Sequence, residues 1–213
     1  MMSKAVIFDL DGTLIDSRKD LAASVNFMRA SYGLEPLTLD TVCRFIGNGV
    51  HKLVERSLKD TGVEMEDAVL RMKQIYLEHL TDETELYPGV RPGLKTLCDA
   101  GVVCGVITNK PEEAAVTLLE NLGIDGYFKE IMGGEGDFPL KPAPDALLYF
   151  VRKYATDFSN SWMIGDHYTD MEAGRRAGLK RCWAAYGFGD PQQEKYDYKA
   201  NSFAEFVDKC LID

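Results

Sequence analysis

The chain has no apolar run approaching the ~20 residues that a spanning helix needs, no CxxC pair, no internal repeat and no low-complexity tract. The first absence argues against a membrane protein. Asp9 and Asp11 interrupt what would be the apolar region of a signal peptide, so none is expected. Positive charge is scarce: 24 Lys and Arg stand against 34 Asp and Glu, for a net charge of -10 and a pI near 4.8. That balance argues against nucleic acid or an anionic membrane as the main partner, since both need basic surface. An anionic ligand would need a site that is positive locally, against the field of the whole molecule. The cysteines are odd in number and sit among apolar residues: Cys43, Cys98, Cys104, Cys182 and Cys210. They read as reduced core thiols of a cytoplasmic protein.

What is present is a 213-residue chain, 46% hydrophobic, long enough for one large domain or one domain with a smaller insert. Its organising stretch is AVIFDLDGTLID, Ala5 to Asp16. Ala5 to Phe8 is a short apolar run that stops at charged and Gly residues, so it reads as a buried strand. Asp9 and Asp11 follow it with only Leu10 between them, and on a strand they point to the same side. Like charges that close repel unless a cation or a shared proton relieves them. A hard divalent ion with oxygen ligands, most simply Mg2+, would do so. A plain Asp–Gly turn is the competing reading of this stretch alone.

From Ser17 to Glu85 the pattern is helical throughout. Leu21, Val25 and Met28 mark a helix closed by Gly33, and Leu39, Val42, Phe45 and Ile46 a short second one. Gly47 to Gly49 break it. Leu53, Val54 and Leu58 mark a third, ended by Gly62, and Val69, Met72, Ile75, Tyr76 and Leu80 a fourth. The remainder alternates. Strands are expected at Val102 to Thr108, Glu130 to Met132, Trp162 to Ile164 and Arg181 to Ala184. Between them stand helices that end at Gly101, Gly123 and Gly178, one from Pro144 to Tyr154, and a last helix with a Ser202/Glu205 capping box. Such alternation predicts an α/β fold, a doubly wound Rossmann-like parallel sheet, with the helical block inserted as a small cap domain. The expected boundaries are 1–16 and 86–213 for the core and 17–85 for the cap. In these sheets ligands bind off the carboxyl ends of the strands, where Asp9, Thr108 and Asp166 are placed.

Four pieces then stand in order: DLDGT at Asp9 to Thr13, ITNK at Ile107 to Lys110, KPAP at Lys141 to Pro144, and GDHYTD at Gly165 to Asp170. Their order and spacing resemble the haloacid dehalogenase superfamily of phosphatases, over the whole chain. The resemblance implies that Asp9 is a nucleophile forming an aspartyl-phosphate and that Asp11 is the general acid and base. It implies that the Thr108 hydroxyl, the Asn109 backbone N–H and the Lys141 ammonium meet the phosphoryl oxygens. Mg2+ would be held by Asp9, the Asp11 backbone carbonyl and Asp166, with Asp170 holding Lys141 or a metal-bound water. Each residue also has a plain structural reading: Thr108 as a strand end, Lys141 as a loop charge, Asp166 as a turn, Asp170 as a helix N-cap. The family often has a small hydroxyl residue where this chain has His167, which is expected to face outward or stand behind the ligands. His79 is expected at the surface.

Within that superfamily FDLDGTLIDS, RFIGNGVHKLVERSL, YPGV, TNKP and LKPAPDALL look most like phosphoglycolate phosphatases. Relatives with this layout act on sugar phosphates, nucleotides or pyrophosphate, and some are phosphomutases; Thr13 resembles the phosphatase type. The implied substrate is a small phosphorylated metabolite and the implied assembly a monomer or homodimer. Arg44, Asn48, Gly49, His51 and Lys52 are the expected readers of the leaving group. A receiver-like signalling domain is the reading from another class. It fits poorly, because both acids here follow the first strand and a helical block interrupts the sheet.

Overall fold

The computed structural model describes residues 4–154 and 157–212; residues 1–3 and 213 of the expected core domain lie outside it, as do 155 and 156. The sheet strands are β1 (Ala5–Phe8), β4 (Val103–Pro111), β5 (Ile131–Gly134), β6 (Trp162–Gly165), β7 (Lys180–Ala184) and β8 (Tyr198–Ala200), ordered β5-β4-β1-β6-β7-β8. All neighbours pair in parallel. Numbered among themselves along the chain, these six strands lie in the order 3-2-1-4-5-6, the doubly wound arrangement. The order reverses between β1 and β6, so the ligand crevice lies beyond their carboxyl ends.

Alternation along β1 builds both faces of the core. Val6 and Phe8 enter one apolar cluster, Ala5 and Ile7 the other. On the first face Phe8 stacks on Phe203 at 5.7 Å and meets Phe206 edge-on at 6.1 Å, both from α9 (Phe203–Ile212). That face also takes Leu94 and Leu97 of α5 (Val90–Asp99) and Leu118 of α6 (Glu112–Asn121). The second face takes Leu147 and Phe150 of α7 (Asp145–Lys153) and Ala173 of α8 (Tyr168–Ala177). Each large side chain so buried contributes roughly 1.5–3 kcal/mol.

Between β1 and β4 run α1 (Arg18–Ala30), α2 (Leu39–Cys43), α3 (Val50–Ser57) and α4 (Met65–Glu78). They share one contiguous apolar cluster with the first sheet face through Leu21, Val25, Leu53, Met72 and Tyr76. The helical stretch is not free of strand: β2 (Ile15–Asp16) pairs antiparallel with β3 (Glu85–Leu86), and Glu85 lies opposite Asp16. This ribbon carries the chain out to the helices and back. Asp20 pins it. The Asp20 carboxylate is buried and accepts the Glu83 and Thr84 amides and the Thr84 hydroxyl at 2.7 to 3.0 Å. Four such bonds offset the burial of an acid that has no cation beside it. Among the described residues no helix is long and apolar enough to cross a membrane.

Candidate active site

Three strands, one loop and the first turn of a helix deliver the polar residues. Asp9 follows β1 directly, and its amide bonds the Ile164 carbonyl of β6 at 2.9 Å, so β1 and β6 stay paired up to the site. Asp166 follows β6. Thr108, Asn109 and Lys110 lie inside β4, which runs on to Pro111, three residues past the expected end. Asn, Lys and Pro are poor strand formers, but β5 holds them extended through a Pro111–Gly134 pair. Lys141 comes from the loop before α7, and Asp170 from the first turn of α8.

Asp9, Asp166 and Asp170 are all buried, and each offers an oxygen within 4.8 Å of the others'. One ammonium faces them. Lys141 Nζ donates to Asp9 Oδ1 at 2.8 Å and to the Ile107 carbonyl at 2.6 Å. It also stands 2.7 Å from Asp170 Oδ1, off the direction a hydrogen bond requires, so that buried oxygen has an ion-pair partner but no aligned donor. Burial, with Asp170 and Asp11 nearby, pushes the Asp9 carboxyl up to about 6 in spite of Lys141. Burial and the charges of Asp9 and Asp170 push Asp166 well above the ordinary range, against two backbone amides that favour its anion. Burial pulls Lys141 down, but Asp170 and Asp9 outweigh it and leave it above the usual lysine value.

Three oxygen donors gathered beside one lysine, one of them without an aligned hydrogen-bond donor, are the chemistry of a hard-cation site. The set fits Mg2+. Asp170, expected only to hold Lys141 or a metal-bound water, joins Asp9 and Asp166 in that cluster through its side chain.

Close backbone approach holds Asp166. Its Oδ2 accepts the Phe188 amide at 3.0 Å and the Gly189 amide at 2.7 Å, and Trp183 Nε1 donates to its carbonyl at 3.1 Å. Gly12, at φ 84°, passes so near that a Cβ there would fall 1.8 Å from the same oxygen. Asp170 is the N3 residue of α8, not its N-cap. The cap is His167, and Asp170 Oδ2 accepts the His167 amide at 3.0 Å. The His167 ring does not face outward. It is half-buried beneath Gly47, its centroid 4.5 Å from that of the Tyr168 ring at a 46° tilt, and burial lowers its basicity to about 4, so it is neutral near pH 7.

Asn109 does more with its side chain than the expected backbone contact. Its Nδ2 donates to the Gly47 carbonyl at 3.0 Å and the Lys141 carbonyl at 2.9 Å, and its Oδ1 accepts the Lys141 amide at 2.8 Å. One amide thus ties β4, the lysine loop and the helical block together. The Thr108 hydroxyl accepts the Lys110 amide at 3.2 Å.

Asp11 turns to other partners. Lys110 Nζ reaches its two oxygens at 2.8 and 3.1 Å, and the Ser17 hydroxyl donates to Oδ1 at 2.5 Å. Lys110 also donates to the Tyr76 hydroxyl of α4 at 2.6 Å. The sequence reading gave Lys110, Ser17 and Tyr76 no role, although Lys110 stands within ITNK.

A cavity of about 280 Å³ opens above Asp9 and Asp11, between β4 and the helical block. Gly47, Gly49, Lys73, Tyr76 and Lys110 are among its walls. Asn48 is close by, its Nδ2 on the Tyr168 hydroxyl at 3.0 Å. Arg44, His51 and Lys52 are exposed and do not line it. Lys52 pairs with Glu55 at 2.6 Å, and His51 lies 3.8 Å from Glu135. His79, half-buried, pairs with Asp82.

A Rossmann-like sheet with an acid cluster and a buried lysine at its switch point defines a hydrolase class, and the chain belongs to it. The haloacid dehalogenase-like hydrolase family matches residues 6–184. The chain is 38% identical to the phosphoglycolate phosphatase of Chromobacterium violaceum, over 96% of this chain and 95% of that one. It is 39% identical to the phosphoglycolate phosphatase of Pseudomonas fluorescens Pf0-1, over 88% and 71%. A predicted phosphoglycolate phosphatase of Haemophilus somnus 129pt, known as a crystal structure, has the same fold: TM-score 0.88, 30% identity, 98% of both chains covered.

Proposed function

We propose that the protein hydrolyses a small phosphorylated metabolite, 2-phosphoglycolate above others, through an aspartyl-phosphate on Asp9. The phosphatase class follows from the family and the relatives. The observation that carries the mechanism is the imbalance at the strand ends: oxygens of Asp9, Asp166 and Asp170 cluster together, and among the described residues Lys141 is the one ammonium paired with that cluster, through Asp9 and Asp170. Asp9, Asp166 and Asp170, with the Asp11 carbonyl, would hold Mg2+, which when bound neutralises charge on the phosphoryl group and on Asp9.

An Asp9 oxygen attacks phosphorus, and the bond from phosphorus to the leaving oxygen breaks. Asp11 delivers the proton that the leaving oxygen needs. Asp11 then takes a proton from water as that water attacks the phosphorus of the aspartyl-phosphate; the bond from phosphorus to the Asp9 oxygen breaks, phosphate departs and Asp9 is restored. Lys141 holds Asp9 and Asp170 in place and supplies positive charge. The Thr108 hydroxyl and the Asn109 backbone N–H serve the phosphoryl oxygens.

The helices of 17–85 serve as a cap over a core of 1–16 and 86–213, closing the cavity to water. Five cysteines with no disulfide among the described residues fit a reducing compartment, and the reading places the enzyme in the cytoplasm.

The test is phosphate release from phosphoglycolate, a sugar phosphate, a nucleotide and pyrophosphate, with Mg2+ or with EDTA. Phosphoglycolate should be favoured, EDTA should abolish turnover, and Asp9→Asn should lower it by at least ~10³-fold. Undiminished activity in EDTA or in Asp9→Asn overturns the mechanism.

A further inference from the structure

We propose that Lys110 and Tyr76 are positioning residues that hold the acid/base Asp11, so that the helical block sets the aim of proton transfer through a tyrosine hydroxyl. The proposal rests on the role given to Asp11 above.

Asp9 and Asp11 leave the chain two residues apart, yet they bind different ammonium groups, Asp9 that of Lys141 and Asp11 that of Lys110. An ammonium has three protons. Those of Lys110 are matched by three oxygens: Asp11 Oδ1 at 2.8 Å, Asp11 Oδ2 at 3.1 Å and Tyr76 Oη at 2.6 Å. Nothing is left over for a phosphoryl oxygen. The Lys110 side chain is 3% exposed, and a cation so buried is held only by partners of good geometry. Contact with both oxygens stops the carboxyl from rotating, as a single hydrogen bond would not. Ser17 adds a further contact to Oδ1.

Tyr76 supplies the link to the cap. It is buried in α4, in the shared apolar cluster. Burial, followed by the charges of Asp11 and Asp20, pushes its phenol well above the ordinary value. The hydroxyl is therefore neutral, and its oxygen serves as the acceptor for Lys110. The order of contact is α4, Tyr76, Lys110, Asp11. A shift of α4 relative to β4 moves the ammonium, and with it the carboxyl that must reach the leaving oxygen within hydrogen-bond distance.

A positioned acid matters in proportion to how badly the leaving oxygen needs a proton. The experiment therefore measures kcat/KM of the whole protein with Mg2+ on three esters. Phosphoglycolate and ethyl phosphate both leave as strongly basic alkoxides, and only the first carries a carboxylate. p-Nitrophenyl phosphate leaves as a stable phenolate without protonation. Positioned acid catalysis is worth ~10²–10⁴-fold, so in Lys110→Met both alkyl esters should lose ~10²-fold relative to p-nitrophenyl phosphate. Tyr76→Phe, which removes one oxygen and preserves packing, should show the same pattern at about tenfold. It keeps the test decisive if Lys110→Met fails to fold.

Equal losses on all three esters would make the pair merely structural and overturn the proposal. Loss confined to phosphoglycolate would overturn it differently, making Lys110 a carboxylate ligand. A wild-type protein inactive on all three esters would defeat the phosphatase reading itself, and the proposal with it.

Discussion

Two buried lysines stand at the ends of the same strands, and they differ in what surrounds them. Lys141 pairs with two carboxylates, those of Asp9 and Asp170, and an Asp166 oxygen lies within 4.8 Å of theirs. Lys110 faces one, that of Asp11, and a neutral hydroxyl. The second corner is balanced, and each ammonium proton has its own acceptor. A balanced buried pair holds a shape. The first corner carries more negative charge than its lysine neutralises, and it leaves Asp170 Oδ1 without an aligned donor. An unbalanced corner is a place for added positive charge, and with that charge present, for an anion such as a phosphoryl group. Chemistry at the first corner and aim at the second is the division of labour that the contrast teaches.

Removing Lys141 should break that contrast most severely. Lys141→Met leaves three buried carboxylates without a cation, and losing one partner of a buried pair costs about 3–5 kcal/mol. Urea unfolding in EDTA at pH 7 should show a loss of that order, and turnover should fall by ~10³-fold or more on every ester, p-nitrophenyl phosphate included. A Lys141→Met protein as stable and as active as wild type would mean that the two corners do not differ in kind.

The next effect concerns pH and metal. The Asp9 carboxyl lies at about 6 in the fold, raised from 3.8. Between those values the folded protein keeps a proton that the unfolded chain has lost. The stabilisation is thus fully present below about pH 4 and disappears as pH rises through 6. At ~1.4 kcal/mol per unit the loss is on the order of 3 kcal/mol, and Asp166, raised as well, acts in the same direction. In EDTA the stability measured by urea unfolding should therefore fall from pH 4 to pH 7. Asp9→Asn should flatten that slope, and Mg2+ should restore more stability at pH 7 than at pH 5. A slope that Asp9→Asn leaves unchanged would show that the cluster is not the titrating unit.

The division between the corners was only half legible from sequence. The motifs place Asp9, Thr108, Lys141, Asp166 and Asp170 because apolar runs, glycines and prolines report the strands, the loop and the helix start that carry them. They say nothing of where a long side chain goes. Lys110 lies inside a quoted motif, but its three acceptors come from residues 11 and 76, far apart in the chain. Tyr76 reads as one more apolar position of a helix, which it also is. The strand through TNKP was missed because pairing with β5 overrides poor local propensity. β8 was missed because a three-residue edge strand with exposed Lys199 in its middle has little pattern to show. The β2–β3 ribbon is shorter still, two residues on each side. His167 was expected to face outward or stand behind the ligands; it caps α8 under Gly47, a contact made by the fold between residues 47 and 167.

The smallest effect is expected where the sequence placed the specificity site. His51 and Lys52 open α3, and a cation at a helix N-terminus is mildly unfavourable, by ~0.3–1 kcal/mol, unless an anion relieves it. That reasoning pointed to the carboxylate of a leaving group. In the fold the relief comes from the protein itself: Lys52 pairs with Glu55 at 2.6 Å, and Glu135 lies 3.8 Å from His51. Both side chains are exposed, and exposed pairs are worth roughly 0–1 kcal/mol. Lys73 differs, because it lines the cavity and holds the same Glu135 at 2.5 Å. The double variant His51→Ala, Lys52→Ala should change stability by under ~0.5 kcal/mol. It should change kcat/KM less than about threefold on phosphoglycolate and p-nitrophenyl phosphate alike, a barrier change of ~0.6 kcal/mol. Lys73→Ala should move the phosphoglycolate value further than the double variant does. A tenfold loss confined to phosphoglycolate in the double variant would return the leaving-group site to the first turn of α3, and would show that α3 turns inward when substrate is bound.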